Sequence, residues 1–260
     1  VCKKCSKCDT TIDDNELRKL TNNLSTVKEF KKSGKCKGCQ DKNEYDDYTI
    51  LSYKTLRRLV GILALSTAFI CIIGSLLFNN LTVQSSVSLY YYTNMRDFLE
   101  AVLIGIGIFI ITYKGYVLLD RIINILTGIF GICIALFPCS SDIDYVGIFN
   151  IPSEVSNILH LITAGIFFGL LGFISFFLFT KSDGTITGII TKQKKIRNII
   201  YRICGIIIAL CGVAIGLSFA FLGEEIMNKY FIVLILEIII LTSFGISWLV
   251  KGETLFKDKI

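Results

Sequence analysis

"YFIVLILEIIILTSFGISWLV", residues 230–250, decides the fold. The stretch holds one charged residue, Glu237. At 1.5 Å per residue a helix of this length reaches about 30 Å, the thickness of a bilayer's hydrocarbon core. Its leucines, isoleucines and valines run all round the helix, and a helix with no polar face is buried in a large core or in lipid. The rest of the chain favours lipid. Of its 260 residues 53% are hydrophobic, only 18% are charged, and the mean hydropathy is +0.64. An ordinary soluble domain carries more charge than that.

Five further apolar runs lie at about 59–78, 98–118, 122–137, 155–180 and 199–222. The third is the shortest, and it has 117–119 available to lengthen it. No run alternates as a barrel strand would, and a helix satisfies its own backbone in lipid. The expected fold is an all-α polytopic membrane protein: a six-transmembrane-helix bundle over 51–260, preceded by a small cysteine-rich module over 1–50.

Lysine and arginine set the orientation. One set of flanks carries fourteen: Lys54, Arg57, Arg58, Lys114, Arg121, Lys181, Lys192, Lys194, Lys195, Arg197, Arg202, Lys251, Lys257 and Lys259. The opposite flanks carry Arg96 and Lys229. Both termini are therefore expected in the cytoplasm, with the protein in the plasma (inner) membrane and the 142–154 loop outside. The first 50 residues contain no apolar signal segment, which agrees with an N-terminus that stays on the side of synthesis. Trp248 suits the inner interface and Tyr90–Tyr92 the outer one. The basic "KQKKIR" (192–197) reads as a topology determinant, with anionic lipid as an alternative partner.

Cys2, Cys5, Cys8, Cys36 and Cys39 lie in the polar module, as "CKKCSKC" and "CKGCQ", with 27 residues between Cys8 and Cys36. Two CxxC turns in a reducing compartment form a zinc-ribbon pattern, because each presents two thiolates to one tetrahedral ion. Cys5, Cys8, Cys36 and Cys39 are the expected ligands of one structural zinc, with Cys2 as an alternate. So small a module buries little core, and the metal would supply its stability. A cytoplasmic protein is its expected partner, and nucleic acid is not. Free thiols on a lysine-rich linker are the alternative reading. Cys71, Cys133, Cys139, Cys204 and Cys211 lie in or beside apolar runs and read as packing residues.

Small residues point to close helix contacts. Gly165 with Gly169 and Gly212 with Gly216 form GxxxG pairs, Gly128 and Gly131 are three apart, and Gly105 and Gly107 flank one residue. Packing within the bundle is the expected use.

Charge at membrane depth marks the candidate site. "MRDFLE" (95–100) places Arg96, Asp97 and Glu100 at the outer end of the second run. His160, the chain's one histidine, falls early in the fourth, and Glu237 about 10 Å into the sixth. These three runs share a direction, so the groups gather in the outer half of the membrane. Simple local roles exist for most of them. Asn94 can cap a helix with Asp97 in its first turn. Arg96 and Glu100 can pair at i,i+4. His160 can hydrogen-bond near Ser156, Asn157 and Thr163. Glu237 has no partner on its own helix. The expected function is lipid association, with a polar pocket made by Arg96, Asp97, Glu100, His160 and Glu237 and Arg96 clamping a headgroup. The alternative is an intramembrane lipid hydrolase with catalytic candidates Asp97, Glu100, His160 and Glu237. A small transporter or signalling component ranks lower, since few polar residues continue toward the inner side.

"YYYTNMRD" (90–97), "FIITYKGY" (109–116), "LTGIFGICIALFP" (126–138), "FFLFTK" (176–181), "IYRICGI" (200–206) and "FGISWLVKGE" (244–253) together resemble a group of uncharacterised six-helix bacterial membrane proteins. That group is a domain of unknown function related to the DRAM-like and GPI-remodelling membrane families. The resemblance covers about 55–256 and implies a six-helix fold and a loose link to lipid, not an activity. Arg96, Asp97 and His160 match positions typical of the group, whereas Asn94 stands where its pattern has proline. The cysteine module lies outside that pattern.

Overall fold

A computed structural model of the protein describes residues 3–4, 11–12, 37–78, 82–113, 115, 117–181 and 191–254, with side chains from Tyr53 onward. The chain divides into two units, Val1–Thr55 and Leu56–Ile260. In the first, β1 (Lys3–Lys4) pairs antiparallel with β2 (Thr11–Ile12), Lys3 opposite Ile12. Cys2, Cys5, Cys8 and Cys36 lie outside the described residues, and Cys39 falls in the first turn of a helix.

The helices in chain order are α1 (Lys37–Phe78), α2 (Arg96–Thr112), α3 (Leu118–Leu136), α4 (Ser153–Phe173), α5 (Lys192–Phe221), α6 (Glu224–Lys229) and α7 (Ile232–Lys251). A 3-10 turn, Ser88–Tyr92, precedes α2, and a π-helical turn, Ile174–Leu178, extends α4. Between α3 and α4 a short hairpin pairs β3 (Tyr145–Val146) with β4 (Ile151–Pro152). Among the described residues, five segments are long and apolar enough to cross a membrane: Tyr53–Phe78, Leu118–Leu136, Ser153–Leu178, Lys192–Phe221 and Ile232–Lys251.

The burial pattern inverts that of a soluble bundle. Leu210 is 65% exposed and Ile158 58%, while Ser75, Thr127, Ser175 and Ser247 are completely buried. Outward leucines and isoleucines are expensive in water and at home in lipid. The chain is a helical integral membrane protein.

The second apolar run stops earlier than its composition predicts. α2 has 17 residues and ends at Thr112, because Tyr113 turns the backbone to an extended conformation (φ −69°, ψ 117°). The following helix takes up the difference, beginning at Leu118 and so using the residues that flank the short third run. That extension brings in Asp120, a buried carboxylate that the sequence reading left out. It is buried at the end remote from Glu237, where Lys181 donates to it, and Asn124 Nδ2 donates to the Tyr113 carbonyl (3.1 Å).

Helix contacts are made by different glycines from those in the GxxxG pairs. Gly165, Gly169 and Gly216 face open space, and Gly212 meets only Phe168. The close crossings are Gly61 with Gly245 (α1 on α7), Gly107 with Gly128 (α2 on α3) and Gly172 with Gly205 (α4 on α5). At each, a Cβ on either glycine would meet the other's carbonyl oxygen at 3.2 Å or less. Backbones approach this closely only where no side chain intervenes.

Several of the aromatic residues turn inward. Trp248 is 1% exposed and sits among Phe109, Tyr113, Phe179 and Phe244, with ring centroids 5.2–6.0 Å away. Tyr90 and Tyr91 are buried in the 3-10 turn. Each ring packs against neighbouring side chains inside the bundle. Asn94 does not cap α2. Met95 holds that position, and the Thr93 hydroxyl accepts from the Met95 amide (3.1 Å).

Candidate functional site

The site is built on the connector between α1 and α2. Residues 82–88, bent at 85–87, pass beside the start of α7 and are tied to it twice. The Leu234 amide donates to the Ser85 carbonyl (3.0 Å), and the Val87 amide donates to Glu237 Oε2 (2.6 Å). The first bond satisfies an amide in the opening turns of α7 that has no partner in its own helix. The second is a short, charge-assisted type of contact to a buried carboxyl. Immediately before α7, Phe231 adopts φ +51°, a left-handed conformation unusual for a bulky residue. It forms the joint between α6 and α7 and so helps fix where Glu237 enters the bundle.

Glu237 Oε1 lies 3.3 Å from Ser88 Oγ, and the same hydroxyl lies 3.0 Å from His160 Nε2. His160 Nδ1 is 2.8 Å from the Phe137 carbonyl oxygen. A carbonyl only accepts, so Nδ1 carries a proton and donates. Phe137 follows the last residue of α3, and the neighbouring Pro138 carbonyl accepts from Ser156 Oγ (2.7 Å). Two side chains of α4 thereby serve the carbonyls left open at the end of α3.

A proton count follows from this geometry. Ser88 has one hydroxyl proton and two neighbours, a carboxylate oxygen and an imidazole Nε2. With Glu237 ionised and His160 neutral, it can serve only one of them. One added proton satisfies the whole chain. Either Glu237 donates to Ser88 and Ser88 to His160, or His160 donates to Ser88 and Ser88 to Glu237. Glu237, Ser88 and His160 thus form a three-residue hydrogen-bonded chain that is complete when it holds that proton.

This chain borders two cavities. The deeper one, about 70 Å³, is mostly apolar and includes Val87, Leu99, Leu103, Ile134 and Phe167 in its wall. The other, about 400 Å³, opens among the loops and is lined by Ser85, Ser86, Ser140, Ser141, Asp142 and Asn157 as well as apolar residues. Ser88, His160, Ala164, Phe168 and Glu237 line both. The larger cavity has Asp142 and Glu224 in its wall and, among its described lining residues, no lysine or arginine. Beside it, Tyr92 donates its hydroxyl to the Cys139 carbonyl (2.5 Å). Burial, helped by the nearby Glu237 charge, pushes the Cys139 thiol up to about 12, so it is a packing group rather than a nucleophile at neutral pH.

Of the five residues expected at the pocket, Glu100, His160 and Glu237 line the deeper cavity together. Arg96 lies on the other side of Tyr91. Its guanidinium stacks 4.3 Å from the Tyr91 ring and its Nε donates to Glu100 Oε1 (3.3 Å). It lines a separate surface cavity with Tyr92, Thr93 and Tyr145. Asp97, in the first turn of α2, is exposed and borders none of these three cavities. The sequence reading missed Ser88. No group of three or more histidine, cysteine, aspartate or glutamate side chains among the described residues is arranged to hold a metal ion.

No family model matches the chain, and neither a curated protein nor a solved structure is significantly similar to it. The fold and the site therefore carry the functional argument.

Proposed function

We propose that the protein binds a membrane lipid with its headgroup in the 400 Å³ cavity and its first methylenes toward the apolar one. The observation that carries this reading is the position of the Glu237–Ser88–His160 chain, which borders both a polar and an apolar cavity. An amphiphile needs that junction, because its polar and apolar parts meet within a few atoms. The larger cavity presents serine hydroxyls, two asparagines and three carboxylates, Glu237 among them. Such a lining suits a neutral, hydroxyl-bearing headgroup better than a phosphate, which would call for arginine or lysine. Arg96 is no clamp for this cavity, since it lines neither it nor the apolar one.

Native mass spectrometry of the full chain with monooleoylglycerol micelles tests the reading. One lipid per chain is expected, and Ala164→Phe, which adds a ring to the wall the two cavities share, should lower occupancy at least tenfold. Equal occupancy in the variant, or a preference for phosphatidylglycerol, would contradict it.

The remaining proposals rest on the sequence. α2 serves as a sixth crossing, both termini face the cytoplasm, and the chain resembles the six-helix group named above. The N-terminal module holds one zinc through Cys5, Cys8, Cys36 and Cys39, with Cys2 as alternate, and offers a docking surface to a cytoplasmic protein. Metal analysis of the reduced protein should return one zinc per chain, lost on chelation; a metal-free protein would refute the module.

A further inference from the structure

We infer that Ser88 is a nucleophile and His160 its base, and that the site cleaves the ester of a neutral acylglycerol. The inference rests on the lipid-binding reading and names the reaction at the same site.

The geometry has the required parts. Ser88 Oγ is 3.0 Å from His160 Nε2, within reach for proton transfer. The imidazole is fixed from behind by the Phe137 carbonyl at 2.8 Å, which sets the tautomer that leaves Nε2 free to accept. In serine hydrolases a carboxylate does this job, and here a helix-terminal carbonyl does it. Ser88 is half-buried and lines both cavities, so it is accessible to a bound ester. When Glu237 holds the proton of the chain, its hydroxyl donates to Oγ and the Ser88 proton points at Nε2, the orientation attack needs. Glu237 is thus a positioning residue, itself anchored by the Val87 amide at 2.6 Å.

In the first half-reaction an Oγ lone pair forms a bond to the ester carbonyl carbon, and the Ser88 proton moves to Nε2. The carbon–oxygen bond to glycerol then breaks, and the leaving oxygen takes that proton. Water, the co-reactant, next attacks the acyl-serine. Its proton passes through Nε2 to Oγ, releasing a fatty acid and restoring Ser88. No oxidant or metal enters this balance.

A fluorophosphonate, which phosphonylates activated serines, tests the step on the full chain in detergent or nanodiscs. Peptide mass spectrometry should locate one adduct on Ser88, absent in Ser88→Ala. His160→Gln should slow labelling at least 100-fold, in line with the loss of a general base. The labelling rate of the native protein should pass through a maximum with pH, low when the chain holds two protons and falling again when it holds none. Monooleoylglycerol occupancy of the native protein is measured in parallel. No adduct on a native chain that still binds the lipid would overturn the inference and leave the binding reading standing. So would equal labelling in His160→Gln. A native chain with neither adduct nor bound lipid would overturn both. The native protein alone decides the location of the adduct, should either variant fail to fold.

Discussion

Glutamine at position 237 has the same shape as the native side chain and can satisfy the same neighbours. Its oxygen accepts from the Val87 amide and its NH₂ donates to Ser88, which then donates to His160. The Glu237→Gln protein should therefore fold with stability within about 1 kcal/mol of the native one, and that stability should no longer depend on the proton held by the chain. Glu237→Ala leaves the buried Val87 amide unsatisfied and should cost about 1–3 kcal/mol. Thermal unfolding in one detergent, followed for both variants between pH 5 and 8, distinguishes them. Equal losses would show that the carboxyl is merely filling space. Glu237 was legible in the sequence because nothing on its own helix could pair with it, so a partner had to come from elsewhere. His160 was legible because ionisable groups are rare at that depth. Ser88 was not, since "QSSVSLYYY" (84–92) offers three chemically equivalent serines in a connector without periodicity. Only the tie between that connector and α7 selects Ser88.

Among the elements, the apolar runs were readable because their length is dictated by the bilayer, whereas their ends depend on local backbone turns. Tyr113 ends α2 and the chain resumes a helix at Leu118, with one charge, Lys114, in the short sequence between, a change that a hydropathy window spreads over both runs. Glycine spacing misled for a related reason. A GxxxG pair presents one flat face but does not say whether that face meets a helix or lipid. The single glycines at 61, 107, 128, 172, 205 and 245 make the crossings because each is matched by a glycine on the neighbouring helix. Gly245→Ala would place a Cβ 2.8 Å from the Gly61 carbonyl oxygen and 2.6 Å from Leu65 Cγ, and Gly205→Ala one 2.9 Å from the Gly172 carbonyl oxygen. Either should destabilise by about 1–3 kcal/mol, the usual cost of overpacking. Gly165→Ala adds its methyl to open space and should be neutral or slightly stabilising. Melting temperatures of the three variants, measured side by side, check the ranking. A large loss at Gly165 would mean that α4 packs through its outer face.

The topology of the whole molecule depends on α2. Its 17 residues reach about 25 Å, short of a typical hydrocarbon core. Its ends nevertheless meet opposite ends of α1's membrane segment. Met95, just before α2, covers Gly74, while Tyr113, just after it, receives the Arg57 guanidinium 5.1 Å from its ring. The last helix returns to that same Arg57 end, where Arg57 Nη1 donates to the Lys251 carbonyl (3.3 Å) and Arg58 Nε to the Gly252 carbonyl (3.0 Å). Helices that start and finish at one end of a bundle imply an even number of passes. The proposed crossing by α2 would make six, whereas the five longer segments alone would separate the two ends. A short crossing is accommodated by local thinning of the bilayer at modest cost. Reporter fusions can check the count. An insertion at Val117 should report the cytoplasmic side, one at Asp144 the opposite side, and one after Thr254 the cytoplasmic side again. If α2 enters and returns on one face, Val117 will instead report the outside, and the six-pass arrangement fails together with the shared location of the termini.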